Sequence, residues 1–242
     1  MKKENKKGRI IIAGFDSSFG RGITERLAQD GYDLLLLSRL TKSEDKIDFI
    51  SRIKRKREGG VEVREFDVLG KENLSDERDV FGLVYCVSIP IGNKLFRDLD
   101  WEDYEGHILI QLKGVIKMVR DLIKTKSLKR IIVIGSSYTL ASPPIRAADY
   151  VTAKYALWGW VKAAAVELAR EGVTVNMISP GVSGQGVSAN MNSLALEMEK
   201  RRTPMKRLVT SKEVASVVSF ILSEEANYLT GLNMPVDGGI SR

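Results

Sequence analysis

Short runs of apolar and β-branched residues alternate with amphipathic helical patterns from one end of the chain to the other. Most runs are almost continuously apolar, which is typical of strands buried on both faces of a parallel sheet. The predicted strands are Arg9–Ala13, Asp33–Ser38, Val61–Phe66, Gly82–Val87, Arg130–Ser136, Val173–Ser179 and Asn233–Val236. The predicted helices are Gly20–Asp30, Ser43–Glu58, Trp101–Thr125, Asp149–Glu171 and Ser211–Ser223. This order predicts an α/β fold, with a doubly wound, Rossmann-like parallel sheet of about seven strands in a single domain over residues 1–242.

Two segments interrupt the alternation. Residues 68–81 leave room for little more than a turn or two of helix, and residues 182–204 form a long insertion before the last helix. Insertions of that length in compact domains are usually lids or binding loops, so we expect residues 182–204 to cover a substrate. Its apolar side chains, Met191, Leu194 and Met198 among them, suit either an adaptable lid over an apolar substrate or plain packing on the domain.

The composition excludes several classes of protein. A chain of 242 residues that is 43% hydrophobic and 29% charged is too apolar to be disordered. Cys86 is the only cysteine and His107 the only histidine, so neither a disulfide scaffold nor a histidine-ligated zinc site is expected, and we predict no metal. A Ser-His-Asp triad would need His107 as its base, and we assign that residue no role.

The net charge of +7 suggests an anionic partner, which could be a nucleic acid, a membrane surface or a phosphate-bearing cofactor. Much of the excess lies in a basic tail over residues 1–8 and in the run Arg52–Arg57. Charge runs are usually solvated surface, although either could bind a polyanion. No apolar stretch reaches the length of a signal-peptide core or a membrane span. We therefore expect a cytoplasmic protein without a nucleic-acid or membrane partner.

A Gly/Ser-rich turn connects the first strand to the first helix, with the sequence Ala13-Gly14-Phe15-Asp16-Ser17-Ser18-Phe19-Gly20. Backbone amides at a helix start attract anions, and glycines let a pyrophosphate approach the main chain. The turn predicts a dinucleotide site formed by Gly14, Ser17, Ser18, Phe19 and Gly20. The alternative is an ordinary tight turn between strand and helix.

The end of the second strand indicates which dinucleotide the site would bind. An acidic residue there would bind the adenosine ribose of NAD, but the strand ends in Ser38 and Arg39. These two side chains could instead hold a ribose 2′-phosphate, which favours NADP over NAD, although Arg39 could equally lie on the surface. Asp67 and Val68, after the third strand, suit either an adenine contact or an ordinary turn.

A candidate catalytic group follows the fifth strand. Tyr150 and Lys154 are spaced to share one face of a helix, and Ser137 lies thirteen residues before the tyrosine. A nearby ammonium would lower the pKa of the phenol toward the working range, and a serine hydroxyl could hold a substrate oxygen beside it. Taken alone, this spacing is more often structural.

Several motifs in one order resemble the short-chain dehydrogenase/reductase family over nearly the whole chain, and most of all its branch of 3-oxoacyl-carrier-protein reductases. The motifs are the turn from Gly14 to Gly20, Asp67-Val68, the spacing of Ser137, Tyr150 and Lys154, Asn176–Gly181, Tyr228–Gly231 and Val236–Gly239. Their joint order makes the resemblance specific although each motif alone is common.

The resemblance implies roles for individual residues. Tyr150 would be the proton donor and acceptor, Lys154 would bind the nicotinamide ribose, and Ser137 would orient the substrate carbonyl. Pro180 and Gly181 would lie against the nicotinamide. The family also implies a homo-oligomer, a dimer or a tetramer, in which the third and fourth predicted helices pair between copies.

The chain departs from the family pattern mainly where the cofactor is supported. Ser18 replaces the middle glycine, and Tyr85-Cys86-Val87-Ser88 replaces Asn-Asn-Ala-Gly, although Val87 is still expected to contact the cofactor. Gln111 replaces the fourth catalytic residue, an asparagine whose backbone carbonyl holds a relay water, so the relay persists if the helix bends there.

These features support two hypotheses. The first is an NADP-dependent oxidoreductase that acts on a small carbonyl or secondary alcohol, with Tyr150 passing the proton. The second is a non-enzymatic descendant that keeps the fold as a cofactor-binding or regulatory module. Loss of turnover in Tyr150→Phe would exclude the second.

Overall fold

The computed structural model describes residues 7–39, 43–55, 60–186 and 191–241, and in them a parallel sheet is covered by helices on both faces. The strands are β1 Lys7–Ala13, β2 Tyr32–Ser38, β3 Val61–Glu65, β4 Val80–Tyr85, β5 Arg130–Ile134, β6 Thr174–Pro180 and β7 Asn233–Val236. The helices are α1 Ser18–Gln29, α2 Glu44–Arg55, α3 Trp101–Ile108, α4 Gly114–Ile123, α5 Ala148–Leu168, α6 Ser193–Arg202 and α7 Ser211–Leu222. The strand order β3-β2-β1-β4-β5-β6-β7, parallel throughout, confirms the predicted single-domain, doubly wound fold.

The core lies in two layers, one on each face of the sheet. Alternate side chains of a strand point to opposite faces, so Ile11 packs with α4 and α5 whereas Ile10 and Ile12 pack with α1, α2 and α7. All three isoleucines are fully buried. The need to fill both layers explains why the strands are almost continuously apolar.

The order of the strands locates a crevice. The chain runs outward from β1 to β2 and β3, then crosses back to place β4 on the other side of β1. At such a switch point the connections after β1 and β4 leave in opposite directions, and ligands of doubly wound sheets bind at the carboxyl ends of the strands there.

The predicted continuous helix over Trp101–Thr125 is wrong at its centre. α3 and α4 are separated by a π turn, Leu109–Lys113. The cause lies in β4, because the Tyr85 hydroxyl donates a hydrogen bond to the carbonyl oxygen of Ile110, 2.5 Å away. Gly114 makes room for the phenol, since a Cβ atom at that position would lie 2.2 Å from the Tyr85 hydroxyl oxygen.

The predicted insertion over residues 182–204 contains a helix that the sequence pattern did not indicate. α6 begins after Asn192, whose side chain accepts a hydrogen bond from the Ala195 backbone amide at 2.8 Å. Residues 187–190 of this insertion, 1–6 of the predicted basic tail and 56–58 of the second predicted helix lie outside the described residues. Among the helices that the structure does describe, none is long and apolar enough to span a membrane.

Candidate functional site

A cavity of about 390 Å³ opens at the carboxyl ends of β1, β2, β4 and β5. Its lining brings together most of the residues that the sequence singled out for a cofactor: Gly14, Ser17, Ser18, Phe19, Ser38, Arg39, Val68, Val87, Tyr150 and Lys154. The lining that the described residues form does not include Gly20, Asp67, Gln111, Ser137, Pro180 or Gly181. We call the part near Ser38 the adenosine end and the part near Tyr150 the chemical end.

The phosphate turn is shaped by two glycines. Gly14 has a φ of +76°, and a Cβ atom there would come within 3.0 Å of the Cys86 carbonyl carbon. At Gly20 a Cβ atom would lie 2.2 Å from the carbonyl oxygen of Gly14, so no larger residue fits. Ser17 caps α1 by accepting a hydrogen bond from the Gly20 amide at 3.0 Å. Gly20 therefore fixes the shape of the turn without itself lining the cavity that the described residues form.

Ser18, the departure from the family glycine, faces the segment that follows β6. A Cβ atom at Gly186 would lie 2.7 Å from the Ser18 hydroxyl oxygen, and Gly186 has a φ of +59°. The added side chain at position 18 is thus matched by the absence of one at position 186. Both residues line the cavity, so this segment passes over the phosphate turn.

The adenosine end holds an acidic residue that sequence reasoning missed. The Asp16 carboxylate accepts a hydrogen bond from the Ser38 hydroxyl at 2.9 Å and pairs with the Lys46 ammonium at 2.5 Å. Lys46 also donates to Ser38 at 3.3 Å. Asp16 comes from the phosphate turn and Lys46 from α2, so a search confined to the end of β2 could not find them. The sequence feature that could have indicated Asp16 is its position within the Gly/Ser-rich turn, which was already predicted to bind the cofactor.

The contacts of Asp67 favour the ordinary turn among the two predicted alternatives. Its side chain accepts a hydrogen bond from the Leu69 amide at 2.9 Å, and its carbonyl accepts one from Gly70. Val68 lines the cavity. Pro180 ends β6, and the Gly181 amide bonds to the Val236 carbonyl oxygen at 3.0 Å, so both residues are committed to the β6–β7 ladder.

At the chemical end, Tyr150 and Lys154 share one buried face of α5, as predicted. They are 4% and 2% exposed, and the Lys154 ammonium lies 5.5 Å from the centre of the tyrosine ring. The ammonium donates a hydrogen bond to the carbonyl oxygen of Ile134 at 2.8 Å. Burial lowers the pKa of Lys154 to about 7, with the nearby Cys86 thiol acting weakly in the opposite direction.

The expected lowering of the tyrosine pKa is not what this geometry produces. Burial raises the pKa of Tyr150 to about 12, and a hydrogen bond with the Ser136 side chain opposes the rise. The ammonium that was expected to stabilise the phenolate is directed instead at the Ile134 carbonyl. At neutral pH the phenol is therefore protonated.

The Tyr150 phenol hydrogen-bonds with Ser136, the neighbour of the predicted Ser137. Ser136 also caps a short 3-10 turn, Ser137–Thr139, by accepting a hydrogen bond from the Tyr138 amide at 3.3 Å. Ser137 begins that turn and is buried. The lining formed by the described residues includes neither serine. The role that the thirteen-residue spacing predicted for Ser137 therefore has a second candidate in its neighbour Ser136, and it stays a prediction.

Gln111 belongs to a buried polar chain that reaches the first turn of α5. Its side-chain nitrogen donates to His107 Nδ1 at 3.1 Å, and His107 Nε2 lies 3.4 Å from the Asp149 carboxylate. Asp149 in turn accepts a hydrogen bond from the Tyr150 amide at 2.8 Å. The residues Gln111, His107 and Asp149 are each at most 2% exposed, and burial lowers the pKa of His107 while the Asp149 charge opposes that fall. His107, given no role from the sequence, packs edge-on against the Tyr150 ring.

A small apolar cluster adjoins Tyr150 on the side of the insertion. Tyr138 and Val151 pack there with Ile91 and Val182, the first residue of the insertion. Further along the insertion, Leu194 and Met198 are 69% and 57% exposed. The start of the insertion therefore packs on the chemical end, while part of its apolar surface remains uncovered. Among the described residues, no cluster of side chains is arranged to hold a metal ion.

Comparisons with known proteins define the class. A family model described as enoyl-(acyl carrier protein) reductase matches residues 13–241. The 3-oxoacyl-[acyl-carrier-protein] reductase FabG of Buchnera aphidicola subsp. Baizongia pistaciae is 30% identical over 241 residues, which cover 95% of this chain and 96% of that protein. The chain belongs to the short-chain dehydrogenase/reductase family. Within the family it groups with the branch of FabG-type 3-oxoacyl-carrier-protein reductases.

Solved structures share the fold. The 3-ketoacyl-(acyl-carrier-protein) reductase of Brucella melitensis, complexed with NADH, superposes with a TM-score of 0.84 at 22% identity, covering 98% of this chain and 99% of that one. ElxO with NADP bound superposes with a TM-score of 0.85 at 23% identity, covering 97% and 98%. These likenesses confirm the architecture that the strand order shows.

Proposed function

We propose that this protein is an NADP-dependent oxidoreductase that moves a hydride between the cofactor and a small carbonyl or secondary alcohol, with Tyr150 exchanging the proton. The observation that carries the proposal is that Tyr150 and Lys154 line the same cavity as the phosphate turn and Arg39. The FabG relative and the relatives that bind NADH or NADP support this class of reaction.

The described residues fit a dinucleotide. The turn from Gly14 to Gly20 brings bare backbone and the amino end of α1 to the cavity, where amides and the helix dipole favour phosphate. Arg39 and Lys46 add positive charge where a ribose 2′-phosphate would lie. Tyr150 and Lys154 stand at the opposite end, which suits a nicotinamide ribose.

The mechanism follows from the chain's own groups. When bound, the cofactor supplies or accepts the hydride at C4 of its nicotinamide. In reduction, the O–H bond of Tyr150 breaks as a new O–H bond forms on the substrate oxygen; together with hydride addition at the carbonyl carbon, this proton transfer would convert the carbonyl into an alcohol. The Ser136 hydroxyl holds that oxygen beside the phenol. The Lys154 ammonium donates its hydrogen bond to the Ile134 carbonyl, but its charge lies 5.5 Å from the centre of the tyrosine ring and so favours the phenolate that remains. Burial raises the pKa of Tyr150, so the phenol is protonated at neutral pH and can donate the proton that reduction requires.

The test combines binding and turnover. NADPH fluorescence is titrated with the protein, and NADPH oxidation is then followed with a panel of ketones, aldehydes and acyl thioesters such as acetoacetyl-CoA. We expect binding at micromolar cofactor and turnover of at least one substrate, and a loss of about 10²-fold or more in kcat for Tyr150→Phe with cofactor affinity unchanged. No binding at millimolar NADPH would overturn the proposal.

The two serines provide a matched pair within that test. We expect Ser136→Ala to lower kcat by about tenfold or more, because the hydrogen bond to Tyr150 is lost, and Ser137→Ala to have a much smaller effect. The reverse order would restore Ser137 to the role that the sequence spacing assigned to it.

A non-enzymatic role is the second candidate, and one observation favours it. Burial shifts the pKa of the Tyr150 phenol and of the Lys154 ammonium in the direction that favours the neutral form of each, which makes ionisation of this pair less favourable than in water. This candidate predicts cofactor binding without turnover of any substrate in the panel, and a Tyr150→Phe variant that behaves like the parent protein.

We also propose that copies of the chain associate through α5 and the segment that contains α3 and α4, as the family resemblance implies. On α5, Val166 is 77% exposed and Tyr155 is 50% exposed, which leaves apolar surface for a partner copy. A dimer or tetramer is expected by analytical ultracentrifugation, and a stable monomer at micromolar concentration would contradict it.

A further inference from the structure

The acidic residue that dinucleotide sites usually carry at the end of β2 is present here, but another element supplies it. Asp16 reaches the end of β2 from the phosphate turn and accepts the Ser38 hydroxyl hydrogen at 2.9 Å. Lys46 reaches the same point from α2 and pairs with Asp16 at 2.5 Å. Both side chains line the cavity, and they are 24% and 15% exposed, so opposite charges meet where the adenosine ribose would lie.

We propose that Asp16 and Lys46 are an opposed pair that sets the relative affinity of this site for NADPH and NADH. Lys46 attracts the 2′-phosphate, and Asp16 repels it and accepts hydrogen bonds from an unmodified ribose. This inference rests on the proposed function and deepens it, because it makes the preference for NADPH a graded quantity with named determinants.

The contribution of Lys46 follows from its position. Its ammonium lies 3.3 Å from the Ser38 hydroxyl oxygen, so it approaches the last residue of β2 directly. A phosphate there gains a charge-assisted hydrogen bond from an ammonium that is mostly shielded from water. The Arg39 guanidinium is exposed and therefore better screened, so Lys46 is the stronger of the two cations for this purpose.

The contribution of Asp16 has the opposite sign. A carboxylate that already accepts the Ser38 hydroxyl can accept a ribose hydroxyl in the same way, which is how NAD sites hold their cofactor. A 2′-phosphate at that point would meet a like charge at close range. Asp16 therefore weakens NADPH binding and supports NADH binding.

The neighbouring ion pair of Arg21 with Asp45 offers matched controls. Arg21 forms two hydrogen bonds to Asp45, the residue before Lys46, and neither lines the cavity. Asp45→Asn removes the same charge as Asp16→Asn, one residue from Lys46 but outside the site. Lys54→Met is the corresponding control for Lys46→Met, since Lys54 is exposed on the same helix.

The experiment is a titration of each variant with NADPH and with NADH, read by cofactor fluorescence without substrate. The two cofactors differ only at the 2′ position, so the ratio of their Kd values isolates this end of the site from any change elsewhere. We expect Asp16→Asn to shift the ratio about fivefold toward NADPH, and Lys46→Met to shift it about tenfold toward NADH. Asp45→Asn and Lys54→Met should leave it within about twofold.

Each outcome decides between the claims. The inference is supported if the ratio of the two Kd values shifts in opposite directions in Asp16→Asn and Lys46→Met and stays unchanged in the two control variants. A ratio that is unchanged in Asp16→Asn and Lys46→Met, while both cofactors still bind, overturns this inference and leaves the proposed function standing. Failure of the parent protein to bind either cofactor overturns the proposed function itself.

Discussion

The two ends of the cavity treat charge in opposite ways. At the adenosine end, Asp16 and Lys46 are partly exposed and paired with each other. At the chemical end, Tyr150 and Lys154 are almost completely buried. Burial raises the pKa of Tyr150 and lowers that of Lys154, so it favours the neutral form of both side chains. Because the Asp16–Lys46 ion pair is partly exposed, either side chain can replace its partner with a ligand group at a small cost in free energy. The chemical end holds groups whose charged forms are disfavoured by burial.

This difference implies that the chemical end lowers the stability of the fold and that the adenosine end does not. A buried ammonium with one carbonyl partner has lost most of its hydration, whereas an ion pair near the surface has not. Stability measurements can therefore test the comparison without knowledge of the substrate.

The largest effect is expected at Lys154. Its pKa of about 7 in the folded protein lies below the value of an unfolded lysine, about 10.4, so the unfolded state binds more protons between these pH values and stability rises with pH there. Lys154→Met should therefore raise the free energy of unfolding at pH 7 by roughly 3 kcal/mol and abolish this rise. Urea denaturation at pH 7 and pH 10 measures both quantities.

Lys162→Met is the control for that prediction. Lys162 lies two turns further along α5 and is exposed, so its removal should leave the pH dependence of unfolding as it is in the parent protein. If Lys154→Met kept the parent slope, the buried ammonium would have to be hydrated, and the contrast between the two ends would fail.

The sequence predicted the sheet, the phosphate turn and the Tyr150–Lys154 pair because each depends on local order along the chain. It did not predict the contacts that join distant segments. The π turn requires Tyr85 of β4 to reach the carbonyl of Ile110, and the acidic residue at the adenosine end requires the turn at Asp16 to fold toward β2. Such contacts are set by the packing of the sheet, and spacing along the sequence does not encode them.

A smaller effect is expected in the polar chain that supports Tyr150. Asp149→Asn keeps an oxygen for the Tyr150 amide but removes the negative charge beside His107 and at the start of α5. We expect a loss of about 2 kcal/mol in the free energy of unfolding, because buried polar groups lose a charged partner. Chemical denaturation at pH 7 is the measurement.

The exposed Asp48 on α2 supplies the control for this loss, since Asp48→Asn makes the same chemical change away from any buried network. If the two variants had equal free energies of unfolding, His107 and Asp149 would stabilise the fold through packing and not through the charge of Asp149. In that case the chemical end would hold its tyrosine by packing rather than by charge.

The smallest effect tests whether the phosphate turn, between the two ends, is as tightly fitted as the chemical end. Gly186→Ala adds a methyl group 2.7 Å from the Ser18 hydroxyl oxygen at a φ of +59°. Gly172→Ala adds the same group at a φ of +72° into open space, far from the cavity. Both should lower the free energy of unfolding by about 1 kcal/mol through the backbone, but only Gly186→Ala should weaken NADPH binding, by about threefold. Adding Ser18→Gly should restore that affinity, because it removes the atom that the methyl group meets. If affinity stays low in the double variant, the backbone at Gly186 rather than the Ser18 side chain limits the approach of the cofactor.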